Sequence, residues 1–125
     1  MAAIETCYAV IGGDLEGVRG RLLTDERILK FLGIFLHDTS YTQLLSSLES
    51  GDLKEAFRAA HTMKGISRDL GLTPLFTYSA QLADVLRPDE EGNPAGPLEC
   101  VDDLVAQISG AYQITVDAIG ALQTS

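Results

Sequence analysis

Apolar residues recur every three or four positions along almost the whole chain, and this period constrains the fold more than any other feature of the sequence. Such spacing places apolar side chains on one face of an α-helix, whereas a half-buried strand would alternate apolar and polar residues. No alternating stretch of useful length is present. The pattern therefore predicts an all-α protein in which each helix buries one face.

Capping residues, glycines and prolines divide this pattern into segments. Three helix starts are predicted by a capping residue with a suitable successor: Thr24 before Asp25, Asp52 with Glu55 three residues later, and Thr73 before Pro74. Three ends are predicted at Gly51, Gly71 and Pro88. The predicted helices cover residues 25–36, then 41–50 as a second helix or a continuation, 53–70, 74–86 with Pro74 at the first helical position, and 98–122.

These helices predict an antiparallel four-helix bundle, because short connections make successive helices antiparallel neighbours. A short N-terminal helical element occupies residues 1–23 and the bundle occupies residues 24–122. A polar loop rich in proline and glycine, residues 88–97, precedes the last helix. We predict a single domain over residues 1–125, and its start at Met1 leads us to expect a free-standing protein.

The composition excludes several classes of function. A net charge of −9 argues against general nucleic-acid binding, which requires an excess of Lys and Arg. No apolar run is long enough to span a bilayer, and the N-terminus does not resemble a secretory signal. Cys7 and Cys100 are too few and too far apart to predict a disulfide framework or a zinc site. We therefore expect a cytoplasmic protein with no metal site and no membrane or nucleic-acid partner.

The helix predicted at 53–70 carries the most informative residues. Its core stripe consists of Leu53, Ala56, Phe57, Ala60, Met63, Ser67 and Leu70. On a helical wheel His61 lies about 130° from the centre of that stripe, and Arg68 lies about 20° from His61. Lys64 and Gly65 follow His61 by one turn, so they are its neighbours on the surface. The outward face of this helix is basic although the chain is acidic.

This arrangement suits a reactive imidazole. Histidine is a nucleophile that is largely neutral near pH 7, and Lys64 could neutralise phosphate oxygens. Glycine inside a helix costs about 1 kcal/mol relative to alanine, so Gly65 indicates that something approaches closely there. The residues by themselves leave a second interpretation open, in which His61 is an ordinary surface histidine on a solvated basic face.

The run from Ala59 to Leu72, AAHTMKGISRDLGL, resembles the histidine phosphotransfer (Hpt) domains of multistep phosphorelays. The hallmark of that family is a His, a Lys and a Gly three and four positions later, and a further Gly ten positions after the His. All four positions match in this chain: His61, Lys64, Gly65 and Gly71. The likeness extends to the helices on either side, over about residues 12–90.

The resemblance implies that His61 accepts a phosphoryl group from the phospho-aspartate of a response-regulator receiver domain, or returns it. It implies electrostatic support from Lys64 and clearance for the partner at Gly65. Arg68, which lies close to His61 on the wheel, could assist the phosphate or obstruct docking, and of the two we expect assistance. The partners would be receiver domains, a hybrid sensor histidine kinase, or both, docking on the helices that contain His61 and residues 75–86. The protein would be a monomer without kinase or phosphatase activity and without a cofactor of its own, since the receiver brings the Mg²⁺.

Two departures from the family pattern keep an alternative open. Small residues commonly follow the first motif glycine, here Gly65, whereas Ile66 and Arg68 are large, and many members have Glu or Gln where this chain has Ala83. The alternative is a degenerate Hpt bundle that docks a receiver or kinase without accepting phosphate. A metal or cofactor bundle with a Glu-x-x-His motif is a weaker option, because Arg58 occupies the Glu position.

Overall fold

The protein is described here by a computed structural model that covers residues 3–124, with side chains described through residue 122. Its seven α-helices are α1 (Ala3–Ile11), α2 (Leu15–Leu22), α3 (Asp25–Phe35), α4 (Ser40–Ser50), α5 (Leu53–Asp69), α6 (Thr73–Leu86) and α7 (Val101–Thr124). A single 3₁₀ turn, Leu98–Cys100, leads into α7. Within the described residues the only β-type contact is an isolated bridge between Pro88 and Pro94. The all-α prediction is confirmed, and residues 1, 2 and 125 of the predicted domain lie outside the described part.

Two of the three predicted helix starts are capped as expected. The Thr24 hydroxyl accepts a hydrogen bond from the Arg27 N–H at 3.2 Å, and the Asp52 carboxylate accepts one from the Glu55 N–H at 3.1 Å. Each of these bonds satisfies an N–H group that has no partner within its own helix.

The third start is displaced by one residue, since Leu72 and not Thr73 is the N-cap of α6. The Leu72 carbonyl already accepts the first helical bond, from the Phe76 N–H at 2.9 Å. The Thr73 side chain makes no capping bond, and its hydroxyl donates backwards to the Gly71 carbonyl at 3.4 Å. The turn after Gly71 therefore leads directly into α6, which begins with Thr73 and Pro74.

The segment from residue 25 to residue 50 forms two helices rather than one. Helix α3 ends at Phe35, and α4 begins at Ser40, whose N–H donates to the Asp38 carboxylate at 2.9 Å. The N-terminal element likewise forms two helices, α1 and α2, separated by Gly12 and Gly13. Of these two, α1 packs against α7 and α2 packs against α3.

Helices α4 to α7 form the bundle, with α5 between α4 and α6 and with α6 against α7. An aromatic pair joins α7 back to α4: the rings of Tyr41 and Tyr112 stack with centroids 4.0 Å apart. The Tyr41 hydroxyl also donates to Ser109 Oγ at 2.8 Å. None of the described helices is both long and apolar enough to span a membrane.

The core of the bundle differs from the predicted stripe of α5 at three positions. Ala56, Ala60 and Met63 are fully buried as predicted, and Ala59 joins them. Leu53 and Phe57, which were expected in the core, are only partly buried and pack against its edge. The buried face of α5 is therefore rotated slightly from the predicted one, because α4 and α6 cover this helix from two sides.

Candidate functional site

Helix α5 holds the candidate site on its solvent side. The helix begins at the Asp52 cap and buries its small residues against its neighbours, which leaves the opposite face in solvent. His61 lies near the middle of the helix and is exposed. The outward position predicted for this residue from the helical wheel is confirmed.

The His61 imidazole makes one specific contact within the described residues. Its ring stacks on the ring of Phe57, with centroids 5.7 Å apart and an angle of 27° between the ring planes. No hydrogen bond or ion pair to the imidazole is present among residues 3–122. Both ring nitrogens are thus without a partner in that part of the chain, so either can act as an acceptor or a nucleophile.

Lys64 and Gly65 lie one turn after His61, as the sequence predicted. The Lys64 ammonium group makes no ion pair with any side chain among residues 3–122, so its charge is uncompensated there. Apart from its chain neighbours and the backbone of its own helix, a Cβ atom built at Gly65 would meet no atom within 4 Å. The space beside His61 on this face is therefore open.

Two arginines on the outward face of α5, Arg58 and Arg68, have acidic partners. Arg58 pairs with Glu55 at 2.8 Å, and Arg68 pairs with Asp69 at 3.3 Å. The side chains of Arg68 and Asp69 are 62% and 66% exposed, and exposed pairs of this kind typically contribute less than about 1 kcal/mol. The Arg68 guanidinium group can therefore exchange its partner at little cost.

The first departure from the family pattern involves two residues, of which Arg68 lies on the face that carries His61 and Ile66 does not. The Ile66 side chain lines an apolar groove of about 390 Å³ between α5 and the α2–α3 pair, together with Phe31 and Leu70. At about 100° per residue, Ile66 lies roughly 140° around the helix from His61. Its size therefore does not obstruct the imidazole.

The second departure has a structural consequence. Ala83 is fully buried in α6 and carries only a methyl group, so it cannot hydrogen-bond an imidazole. The carboxylate of Asp84, next to it in sequence, accepts a hydrogen bond from Arg87 at 2.8 Å. Neither residue holds the His61 ring.

Other reactive groups lie away from this face. His37 is exposed after the end of α3, and Cys7 is buried in α1, where burial raises the pKa of its thiol. Among the described residues no group of three or more His, Cys, Asp or Glu side chains is arranged to hold a metal ion.

Phe57 is the one residue of the site that the sequence analysis did not identify. The apolar period assigned it to the core, although its spacing of four residues from His61 also places the two side chains side by side on the helix. That i, i+4 spacing of two ring-bearing side chains was the signal that could have revealed the stack.

One of three comparisons with known proteins finds a match. A protein-family model described as Hpt domain matches residues 31–118, which run from the middle of α3 to near the end of α7 and include the whole candidate site. No curated protein and no solved structure shows a significant similarity to the chain.

Proposed function

This chain belongs to the Hpt domain family, whose members are phosphocarrier modules of two-component systems, and on that premise we propose that it relays a phosphoryl group through His61. The exchange partner is the phospho-aspartate of a response-regulator receiver domain. The observation that carries the proposal is the exposed imidazole in the middle of α5, with no hydrogen-bond partner on either nitrogen among residues 3–122.

In the proposed step the lone pair of neutral Nε2 attacks the phosphorus of the aspartyl phosphate. The N–P bond forms while the bond between phosphorus and the carboxylate oxygen breaks, and the electron pair leaves with the regenerated carboxylate. The ring carries a positive charge until the proton on Nδ1 is released to solvent. The reverse step transfers the group from His61 to a second receiver.

The neighbouring side chains supply positioning and charge, which dominate the catalysis of phosphoryl transfer. The uncompensated ammonium group of Lys64 supports the phosphoryl oxygens electrostatically. Arg68 leaves Asp69 and contributes a second positive charge after phosphorylation, since their exposed pair is weak. The open surface at Gly65 lets the receiver approach the imidazole.

The receiver docks on α5 and α6 and brings the Mg²⁺, so the carrier itself requires no cofactor. A hybrid sensor histidine kinase is the corresponding source of phosphate, through its own receiver domain. The carrier acts as a monomer and has neither kinase nor phosphatase activity. Incubation with ATP and Mg²⁺ alone should accordingly leave the chain unlabelled.

The decisive experiment uses the two histidines of the chain as a matched pair. Receiver domains loaded with radiolabelled phosphate are mixed with the purified protein in Mg²⁺, and acid-labile, base-stable label on this chain is followed over time. We expect label on the native protein and on His37→Gln, and none on His61→Gln. Label that persists in His61→Gln would contradict the assignment of the acceptor.

The second candidate function is receiver docking without phosphate transfer. It is favoured by one observation: the buried Ala83 leaves the imidazole without the hydrogen-bonding partner that many family members place there. If no receiver labels the chain while calorimetry detects a complex that survives His61→Gln, docking is the function and transfer is not.

A further inference from the structure

An exposed histidine needs something to hold its ring if it is to attack an incoming phosphorus along one direction. A free imidazole samples several χ1 and χ2 rotamers, and only some of them present a nitrogen to the partner. In this chain no hydrogen bond to the imidazole is present among residues 3–122. The methyl group of Ala83 is buried, and Asp84 is bound to Arg87.

The only specific contact of the ring within the described residues is with Phe57. We propose that Phe57 is the positioning residue of His61: its ring, one turn earlier on α5, holds the imidazole by stacking in place of a hydrogen bond. The inference rests on the proposed phosphoryl transfer and deepens it. The centroid separation of 5.7 Å lies within the range in which aromatic pairs attract each other.

Phe57 can do this because its own ring is restrained. It is partly buried and packs against the hydrophobic core, whereas His61 is exposed. Packing against the core restricts the rotamers of Phe57. Because the imidazole stacks on this restrained ring, the rotamers of the exposed His61 are restricted as well. The helical spacing of four residues places the two side chains next to each other on α5.

The geometry of the stack also leaves the chemistry free. With 27° between the planes and 5.7 Å between the centroids the two rings form an offset, nearly parallel stack, and both imidazole nitrogens lie on the ring edge. Stacking therefore restricts the orientation of the ring without engaging Nδ1 or Nε2. A hydrogen-bonding side chain would restrict the same ring by occupying one nitrogen.

The test separates the effect of losing the aromatic ring at residue 57 from the effect of losing an apolar side chain there. Phe57→Leu keeps an apolar side chain at the edge of the core and removes the ring, whereas Phe57→Tyr keeps the ring. Leu53→Val, at another partly buried position of α5, is the control for a general loss of packing. Circular dichroism and thermal unfolding first establish that each variant is folded.

The first readout is the rate of phosphoryl transfer at increasing receiver concentration. We expect Phe57→Leu to lower the saturating rate roughly two- to tenfold, as the attraction of an aromatic pair implies, with little change in the half-saturating receiver concentration. Phe57→Tyr and Leu53→Val should transfer at nearly the native rate. A folded Phe57→Leu protein that transfers at the native rate would overturn the positioning role and leave the proposed function intact.

The second readout does not depend on transfer. In the native protein the ring current of Phe57 should displace the His61 ring-proton resonances from those of the exposed His37, and Phe57→Leu should remove that displacement. Resonances of His61 that are unaffected by Phe57→Leu would overturn the stack itself. Failure of every receiver to label the native protein, with the displacement present, would count against the proposed function alone.

Discussion

At Gly65 a side chain would meet open space, and the backbone is outside the left-handed region that favours glycine. Nothing within the described chain therefore requires a glycine there. Glycine in a helix is unfavourable by about 1 kcal/mol relative to alanine. Alanine would stabilise the helix at this position, so the glycine is best explained by something outside the chain, which for this face would be the receiver of the proposed function.

This explanation predicts opposite effects of one substitution on stability and on transfer. Gly65→Gln should stabilise the protein by about 0.5–1 kcal/mol, because it improves helix propensity without a clash. It should slow phosphoryl transfer by roughly tenfold to a hundredfold, because it displaces the docked partner. Urea unfolding and transfer kinetics measure the two effects.

Gly110 provides the matched control, since it lies within α7 and also has open space around a built Cβ atom. Gly110→Gln should give the same gain in stability with native transfer. Native transfer by Gly65→Gln would show that the glycine provides no clearance.

At the scale of elements, the end of α5 and the start of α6 are fixed by residues of the N-terminal element. The Tyr8 hydroxyl donates to the Leu70 carbonyl at 2.7 Å, and the Asp14 N–H donates to the Gly71 carbonyl at 2.9 Å. Arg21 donates to the last carbonyls of α5 at 3.0–3.3 Å. These bonds satisfy carbonyl groups that a helix end leaves without partners. Helices α1 and α2 lie outside the segment that matches the family, yet they support the helix that carries His61.

Gly71, the last glycine of the motif, has a structural role that Gly65 lacks. It has a φ of +64° and ends α5 with a Schellman turn, in which the Leu72 N–H donates to the Ser67 carbonyl at 2.8 Å. A Cβ atom there would collide with the Val18 side chain and lie 2.7 Å from the Asp14 carbonyl oxygen. Two independent reasons, backbone conformation and the proximity of α2, therefore require glycine at this position.

Gly51 allows these two reasons to be separated. It ends α4 with the same turn and a φ of +78°, but a Cβ atom there would meet nothing within 4 Å. We expect Gly51→Ala to destabilise by about 1 kcal/mol through backbone strain alone. Gly71→Ala should cost about 1–3 kcal/mol more, through overpacking against α2. Chemical unfolding of both variants measures the difference, and equal losses would contradict the role of α2.

At the scale of the whole molecule, Arg19 of α2 joins three helices. Its guanidinium group binds both carboxylate oxygens of Asp25 in α3, at 2.8 and 2.9 Å, and contacts Glu5 in α1 at 3.2 Å. The hydrogen bonds from Arg19 lower the pKa of Asp25, although partial desolvation opposes the shift. The N-terminal element is thereby attached to α3 through an ionised carboxylate.

This attachment predicts a pH dependence of stability. Because folding lowers the pKa of Asp25, the stabilisation by its ionised carboxylate is fully present above the unfolded-state pKa of about 3.9. This stabilisation is lost as the pH falls through the folded-state pKa. Asp25→Asn should therefore reduce the free energy of unfolding at pH 7 and make progressively less difference below about pH 4. Urea unfolding of both proteins across this range measures the effect.

Glu26→Gln is the control, because Glu26 also lies in the first turn of α3 and makes no ion pair among the described residues. It reports the interaction of a carboxylate with the helix dipole alone. If the two variants lost the same stability at pH 7, the bonds to Arg19 would contribute nothing.

The sequence by itself determined the helices and the outward position of His61, which depend on neighbours along the chain. The all-α class, the caps at Thr24 and Asp52, the stops at Gly51 and Gly71 and the outward position of His61 follow from periodicity and from hydrogen bonds over three or four residues. Such interactions join residues that are close along the chain, so they can be predicted from the order of the residues. The start of α6 was predicted one residue too late, because the turn after Gly71, and not a cap by the Thr73 side chain, fixes where this helix begins.

Only the tertiary structure decided what surrounds those residues. The stack of Phe57 on His61 depends on how α4 and α6 cover α5, since the same phenyl ring could have turned fully into the core. The crowding at Gly71 comes from α2, about fifty residues earlier in the chain, and the pairing of Tyr41 with Tyr112 joins the first and last helices of the bundle. Contacts between distant segments depend on how the helices pack, and the periodicity of one segment does not predict that packing.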